Sequence, residues 1–293
     1  MANIVRYKGY KKREAVIQIF DTALELADAS KGSAYMAGRV NEKWAGGQGS
    51  LAANFKLLEL GDLNLADKSS AMLSELEDLD LPSSVKHETV ATVAGGFVNV
   101  PVFLSGAPTC MRLRRKVKTQ SAPLTVIVDT TSSAIVSNDK LMRRGMILLA
   151  LVQKLSEVRP VTLYAGCALD RAAKGSRQGA GLGACYLHIN TAPLDLARAA
   201  VMLSHPLFSR TYCYAAIQSE AEANGHDYLG RWPYDSAETW NNVMTNELRP
   251  VFGTDILAIA PVHSSNEAML DNPAQWLKTM IKKYSDIEGE MAA

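Results

Sequence analysis

The pattern of hydrophobic positions along the chain changes near residue 123. Before that point, apolar residues at helical spacing predict helices over residues 14–29, 51–60 and 66–79. β-Branched residues then dominate 86–103, with a turn at Gly95-Gly96. The pattern therefore predicts a helical and β region over residues 1–120.

After Pro123 the pattern is one of short apolar runs alternating with longer amphipathic segments. The runs at 124–128, 161–165, 184–189 and 256–260 predict strands. The segments between and after them predict helices, over 139–158, 194–204, 211–223 and 268–284. Strands that alternate with helices favour an α/β fold with a mostly parallel sheet. The glycine-rich link 166–183 is suited to a hairpin, so we expect the third strand to be an antiparallel edge strand. The second predicted domain covers residues 121–293.

Composition excludes several classes of protein. With 31 Lys and Arg against 30 Asp and Glu, the formal net charge is +1, which argues against a polyanion-binding surface over the whole protein. No run of about 18 apolar residues is present, so we predict no membrane span and a cytoplasmic location. The four cysteines lie far apart without a Cys-x-x-Cys motif, which favours reduced thiols over disulfides or a zinc site.

A carboxylate and several hydroxyls follow the most apolar strand. The sequence there is Asp129-Thr130-Thr131-Ser132-Ser133, and ligands of α/β sheets usually bind beyond the carboxyl ends of strands. Alternation would let the side-chain oxygens of Asp129, Thr131 and Ser133 converge on one point. One carboxylate with two hydroxyls suits Mg²⁺ or Mn²⁺. The alternative is that these side chains only cap and order the loop.

The Asp-x-Thr-x-Ser pattern after an apolar strand resembles the first metal motif of von Willebrand factor A (VWA) domains, and the order of elements over 123–285 is similar as well. The resemblance implies a Rossmann-like sheet with an antiparallel third strand. It also implies two further loops at the metal. In the first, Ser209 or Thr211 offers a hydroxyl, and Ser209 completes the predicted ligand set. The second departs from the family because no Asp follows the fourth strand; His263 and Glu267 are its candidate partner-binding residues.

By this resemblance, the leading expectation is a non-enzymatic scaffolding protein. The cation would bridge to a carboxylate of a protein partner, and VWA-like modules often work beside AAA-type ATPases. A homo-oligomer is also possible. An enzyme that uses the same metal is the weakest hypothesis, because no general base or nucleophile constellation can be assembled from the sequence.

Two basic segments without acids, 6–13 and 111–120, support a different hypothesis, a nucleic-acid-binding protein. The second contains Arg112, Arg114, Arg115, Lys116 and Lys118. As a strand, four of these would line one face, whereas a solvated linker is the alternative. No aromatic residue interleaves them in sequence. Residues 98–111 also resemble an uncharacterised group of phage-encoded proteins, which implies a viral source rather than an activity. With that source, the nucleic-acid-binding hypothesis implies a role in phage transcription, replication or packaging.

Overall fold

The computed structural model describes most of the chain, namely residues 3–9, 13–33, 51–74, 85–118, 123–132, 136–175, 179–228, 237–262 and 268–285. Within these ranges the protein is mixed α/β, with one seven-stranded mixed sheet and a separate three-stranded sheet. In chain order the strands are β1 (Asn3–Lys8), β2 (Glu14–Phe20), β3 (Val85–Thr92), β4 (Phe97–Val98), β5 (Met111–Lys118), β6 (Leu124–Asp129), β7 (Val161–Ala173), β8 (Gly179–Ile189), β9 (His226–Tyr228) and β10 (Ile256–Ile259).

Helices lie between the strands and after the last one. They are α1 (Ala23–Ser30), α2 (Leu51–Leu60), α3 (Leu63–Ser74), α4 (Val100–Leu104), α5 (Asn138–Val158), α6 (Leu196–Ser204), α7 (Tyr214–Ala223), α8 (Ala237–Phe252), α9 (Ala268–Asp271) and α10 (Pro273–Ser285). A π-helix, Phe208–Cys213, leads directly into α7. None of the helices in the described ranges is long and apolar enough to cross a membrane.

The large sheet has the order β1-β2-β8-β7-β6-β10, with β9 added beside β7. Strands β7, β6 and β10 pair in parallel, as the sequence predicts. Strand β8 is antiparallel to β7, as predicted, but the prediction that it forms the edge is wrong. Strand β2 pairs in parallel with β8, on the side of β8 that faces away from β7. Strand β1 pairs with β2 and forms the edge of the sheet.

The predicted helix over 14–29 is wrong in its first half. Residues 14–20 form β2, and only α1 is helical, with the Thr22 hydroxyl accepting a hydrogen bond from the Glu25 N–H at 3.2 Å. The apolar positions fit either period, but Ala15, Val16 and Ile17 are buried in succession. Consecutive burial is typical of a central strand covered on both faces.

Both faces of the large sheet are covered. One face holds most of the core, where Val126 and Val128 of β6 pack with α5 and the other helices apart from α4 and α8. The opposite face packs on α8, through Met244 and Leu248 against side chains such as Ile127. Successive residues of β6 therefore belong to different cores, which determines on which side the residues at its carboxyl end lie.

The remaining sequence predictions have mixed outcomes. Helix α2 ends at Leu60 as predicted, with Gly61 at a φ of 80°. The link 166–183 forms a hairpin as predicted, but most of it is strand, because β7 extends to Ala173 and β8 begins at Gly179. The helix predicted over 211–223 begins inside the π-helix. The domain boundary at 120/121 stays a prediction, although β1 and β2 belong to the same sheet as the strands after residue 123.

Candidate functional site

Asp129 lies at the carboxyl end of β6, where the sequence predicts the metal site. Its side chain is wholly buried, and its Oδ1 accepts a hydrogen bond from the Thr131 N–H at 2.8 Å. Burial raises the pKa of the Asp129 carboxyl to about 7, although hydrogen bonding by Thr131 and the positive charge of Arg144 act to lower it. Near neutral pH this carboxyl is therefore only partly ionised.

Two features near Asp129 escape prediction from the sequence. Arg144 of α5 is buried, and its guanidinium donates hydrogen bonds to the backbone oxygens of Asp129, at 3.4 Å, and of Ala260. It thereby ties the ends of β6 and β10 together. A cation already present beside the carboxylate opposes the binding of a second one.

Tyr186 is the second feature. Asp129 is opposite Gly166 on β7, and Gly166 is opposite Tyr186 on β8, so the two side chains share one face of the sheet across a glycine. A Cβ atom at Gly166 would lie 1.8 Å from the Cys185 carbonyl oxygen, so only glycine fits there. Burial raises the pKa of Tyr186 well above its usual value, and the negative charge of Asp129 adds to the effect.

The π-helix carries Ser209, the predicted fourth ligand, to a different place. The Ser209 carbonyl oxygen lies 3.9 Å from the Cys167 Sγ. Cys167 belongs to the larger core, on the face of the sheet that packs with α5 and most of the other helices. Its hydroxyl donates to the Pro206 carbonyl oxygen at 3.3 Å. Asp129 faces the other side of the sheet with Tyr186. The structure therefore brings Thr131 to Asp129 but does not bring Ser209 there.

Several buried oxygens near this edge lack hydrogen-bonding partners among the described residues. They are Asp129 Oδ2 and the hydroxyl oxygens of Thr131 and Tyr186; the hydroxyl oxygen of Thr211, in the π-helix, also lacks one. The Thr131 hydroxyl is close enough to lower the pKa of Asp129, although it has no hydrogen-bond partner among the described residues. Orphaned buried oxygens are compatible with a cation or an enclosed water. Across the described ranges, no group of three or more His, Cys, Asp or Glu could hold a metal. Ser133, His263 and Glu267 lie outside the described residues.

The basic run at 112–118 is a strand rather than a linker, and this settles its geometry at the backbone level. It forms β5, the central strand of the small sheet, with β3 and β4 antiparallel on either side. Four of its five basic residues occupy alternate positions and so belong to one face, namely Arg112, Arg114, Lys116 and Lys118. We call this the basic face. Arg115 belongs to the opposite face, where it is opposite Glu88 of β3.

An aromatic residue joins the basic face through strand pairing. Phe97 of β4 is opposite Arg112 and therefore lies on the same face; its side chain is 68% exposed. Sequence reasoning missed it because it lies 15 positions before Arg112 in the chain. On β3 the positions of this face are Val85, His87, Thr89 and Ala91. Within these three strands, no acidic residue occupies a position on the basic face.

The other predicted basic segment, 6–13, is partly used inside the protein. Arg6 forms an ion pair at 2.8 Å with Glu220, whose side chain is buried. Glu220 also contacts the buried Arg171 at 3.3 Å, and Arg171 in turn pairs with Glu14 at 2.9 Å. Residues 10–12 lie outside the described residues. Arg6 thus contributes to holding β1 against α7.

Comparisons with known proteins add a family but no activity. A family model described as a domain of unknown function (DUF7192) matches residues 7–253. Neither the curated proteins nor the solved structures contain a match. The matched range covers most of the large sheet as well as the whole of the small one.

Proposed function

Since the chain belongs to the DUF7192 family, described as a domain of unknown function, we propose its function from its surfaces: it is a nucleic-acid-binding protein that uses the basic face. One observation carries the proposal. Arg112, Arg114, Lys116 and Lys118 recur at every second position of a strand whose same-face neighbours include no acid in the described sheet.

The spacing of these cations supports contact with a phosphate backbone. Alternate residues of a strand lie about 6.8 Å apart, so the four positions form a straight row about 20 Å long. A row of cations attracts a chain of phosphates and releases its counterions on binding. The formal net charge of only +1 means that this attraction is local to the face.

Fluorescence anisotropy with a labelled oligonucleotide tests the proposal with a matched pair of variants. Arg114→Gln removes a charge from the basic face, and Arg115→Gln removes the same charge one residue away on the opposite face. We expect Arg114→Gln to weaken binding severalfold and to reduce the slope of log K against log salt by about 0.7 to 1. Arg115→Gln should leave both unchanged.

Two results would count against nucleic-acid binding through the basic face. One is equal loss of affinity in both variants, which would indicate nonspecific charge attraction. The other is the absence of binding by the wild type at about 50 mM salt, where phosphate contacts are strong. Circular dichroism and thermal melting of each variant verify that the fold is retained.

A second candidate function, cation-dependent binding of a protein partner, is favoured by the strand order. In the segment β8-β7-β6-β10 the first strand is antiparallel and the other three are parallel, as the VWA resemblance implies, except that β8 pairs with β2 and is not an edge strand. At the end of β6, Oδ2 of Asp129 lacks a partner among the described residues. Asp129 and Thr131, with Ser133, would hold Mg²⁺ or Mn²⁺, and the ion would supply a positive charge for a partner's carboxylate. The partner, including an AAA-type ATPase, is proposed from the VWA resemblance alone, and a phage source from the resemblance of residues 98–111. A cytoplasmic location stays a prediction from the sequence pattern.

Thermal unfolding with and without Mn²⁺ tests this second candidate. At pH 8, where the Asp129 carboxyl is ionised, Mn²⁺ should raise the Tm of the wild type and not that of Asp129→Asn. At pH 5.5 the effect should be lost, because the protonated carboxyl is a poor ligand. A Tm that does not respond to Mn²⁺ at pH 8 contradicts the metal site.

A further inference from the structure

We infer that the nucleic acid bound by the basic face is single-stranded, and that Phe97 stacks on its bases. The inference rests on the proposed function and adds the form of the ligand to it. It starts from the position of Phe97, which strand pairing places opposite Arg112 at the end of the basic row.

Several apolar side chains of this unit are exposed, among them Phe103 and Leu104, but Phe97 is the aromatic residue that strand pairing places on the basic face. A phenylalanine that is 68% exposed has most of its apolar surface in water, which is unfavourable unless a ligand covers it. Bases present flat apolar faces of a similar kind, and stacking on an aromatic side chain tolerates any base sequence. Arg112, exposed beside it, can contact the phosphate next to the stacked base.

The charge pattern of the small sheet also fits a single strand better than a duplex. A single row of four cations follows one phosphate backbone, whereas a duplex presents two backbones on either side of a groove. The helix of this unit, α4, has the sequence Val-Pro-Val-Phe-Leu and therefore carries no side chain that could hydrogen-bond to base edges. Sheets that bind single strands commonly combine surface aromatic residues with basic residues.

The length of the row limits the site to a few nucleotides. About 20 Å of strand accommodates roughly three to four nucleotides of an extended single strand. Binding should therefore be insensitive to length once the oligonucleotide exceeds the site, apart from statistical effects of overlapping positions. Base composition should matter little.

The test compares a labelled oligothymidylate of about 20 nucleotides with a hairpin duplex of equal charge, by anisotropy at fixed salt. The variants are Phe97→Leu, which keeps an apolar side chain but removes the ring, together with Arg114→Gln and Arg115→Gln. We expect the wild type to bind the single strand at least about tenfold more tightly than the duplex, and Phe97→Leu to lose about tenfold on the single strand alone. Photo-crosslinking to a single-stranded oligonucleotide that contains 4-thiouridine should modify the peptide that contains Phe97.

The outcomes separate this inference from the proposal beneath it. If Arg114→Gln weakens binding but Phe97→Leu does not, or if the duplex binds equally well, nucleic-acid binding stands and the single-strand inference falls. If Arg114→Gln and Arg115→Gln behave alike, both fall. Sedimentation velocity tests whether a second copy of the chain occupies this face instead. If the wild type is a dimer that Phe97→Leu dissociates without any change in oligonucleotide affinity, the face binds a second copy and the inference is overturned.

Discussion

The guanidinium of Arg210 donates a hydrogen bond from Nη2 to the Ser132 hydroxyl at 3.0 Å, and so joins the π-helix to the loop that follows β6. The same side chain donates to the Asn138 Oδ1 at 3.0 Å and to the Val136 carbonyl oxygen at 3.3 Å. Arg210 is almost completely buried. One residue therefore organises the start of α5, the loop after β6 and the π-helix.

Replacing Arg210 should destabilise the protein strongly. In Arg210→Met, the oxygens of Ser132, Asn138 and Val136 lose a donor, and each unsatisfied buried group costs about 1–3 kcal/mol. We expect the free energy of unfolding, measured with urea, to fall by about 3 kcal/mol or more. Arg249→Met is the matched control, since Arg249 is exposed and contacts Asn246 on its own helix; it should change stability by less than about 0.5 kcal/mol. Similar losses in both variants would contradict the organising role of Arg210.

The raised pKa of Asp129 predicts a pH dependence of stability when EDTA keeps the protein metal-free. In the folded state the pKa of this carboxyl is about 7, against an ordinary value of 3.8, so between these values only the unfolded state has lost the proton. Stability should therefore fall by up to about 1.4 kcal/mol per pH unit from pH 4 to pH 7, and then level off.

Asp129→Asn should remove this contribution. The amide keeps an oxygen for the Thr131 N–H but does not ionise, so the variant should be more stable than the wild type at pH 8 and similar to it at pH 4. Asp139→Asn, which changes an exposed carboxylate in the first turn of α5, should retain the wild-type pH profile. Urea unfolding of the three proteins at several pH values makes the comparison. A wild type that is no less stable at pH 8 than Asp129→Asn would contradict the prediction.

Gly145 allows α5 and α6 to approach closely. A Cβ atom there would lie 2.2 Å from the Ser204 Cβ and 2.6 Å from the Leu203 carbonyl oxygen. Although alanine is the better helix former by about 1 kcal/mol, overpacking costs about 1–3 kcal/mol and the helices must separate. We expect Gly145→Ala to lower the Tm. Gly96→Ala, where an added Cβ meets nothing within 4 Å, should leave the Tm unchanged.

The cysteines should differ sharply in reactivity. Cys110 is partly accessible, whereas Cys167, Cys185 and Cys213 are buried. Burial also raises the pKa of Cys213 well above its usual value. Cys213 therefore stays protonated, and a protonated thiol does not react. Ellman's reagent should therefore modify one thiol per native chain and none in Cys110→Ser, while urea exposes the others. Rapid modification of a second thiol in the native wild type would contradict the burial.

Local patterns were sufficient to predict β6, α5 and the position of Asp129. The run 124–128 is too short for a helix and apolar apart from Thr125, and Ser137 caps the helix that follows by accepting a hydrogen bond from the Lys140 N–H. These signals lie within a few residues of the elements they determine. The carboxyl edge of the sheet could accordingly be identified from the sequence.

Features that depend on distant pairing could not be predicted. Strand β2 is stabilised by β8, more than 160 residues later, and its apolar spacing fits a helix equally well. The burial of Arg144 and Arg210 depends on tertiary packing that no local period encodes. The pairing of Phe97 with Arg112 requires the turn and the short helix α4 between them. Chemistry at the site was therefore only partly visible in the sequence.

Strand β10 has a practical consequence for anyone who shortens this protein. It hydrogen-bonds along β6 from Ile256 to Ile259, beyond residue 253, where the family match ends. A fragment trimmed to the match would leave the backbone of β6 open along one flank, beside some of the most apolar side chains in the molecule. Such a flank recruits strands from other molecules. Fragments intended for purification should therefore extend through residue 285, or they will precipitate for reasons unrelated to their biological role.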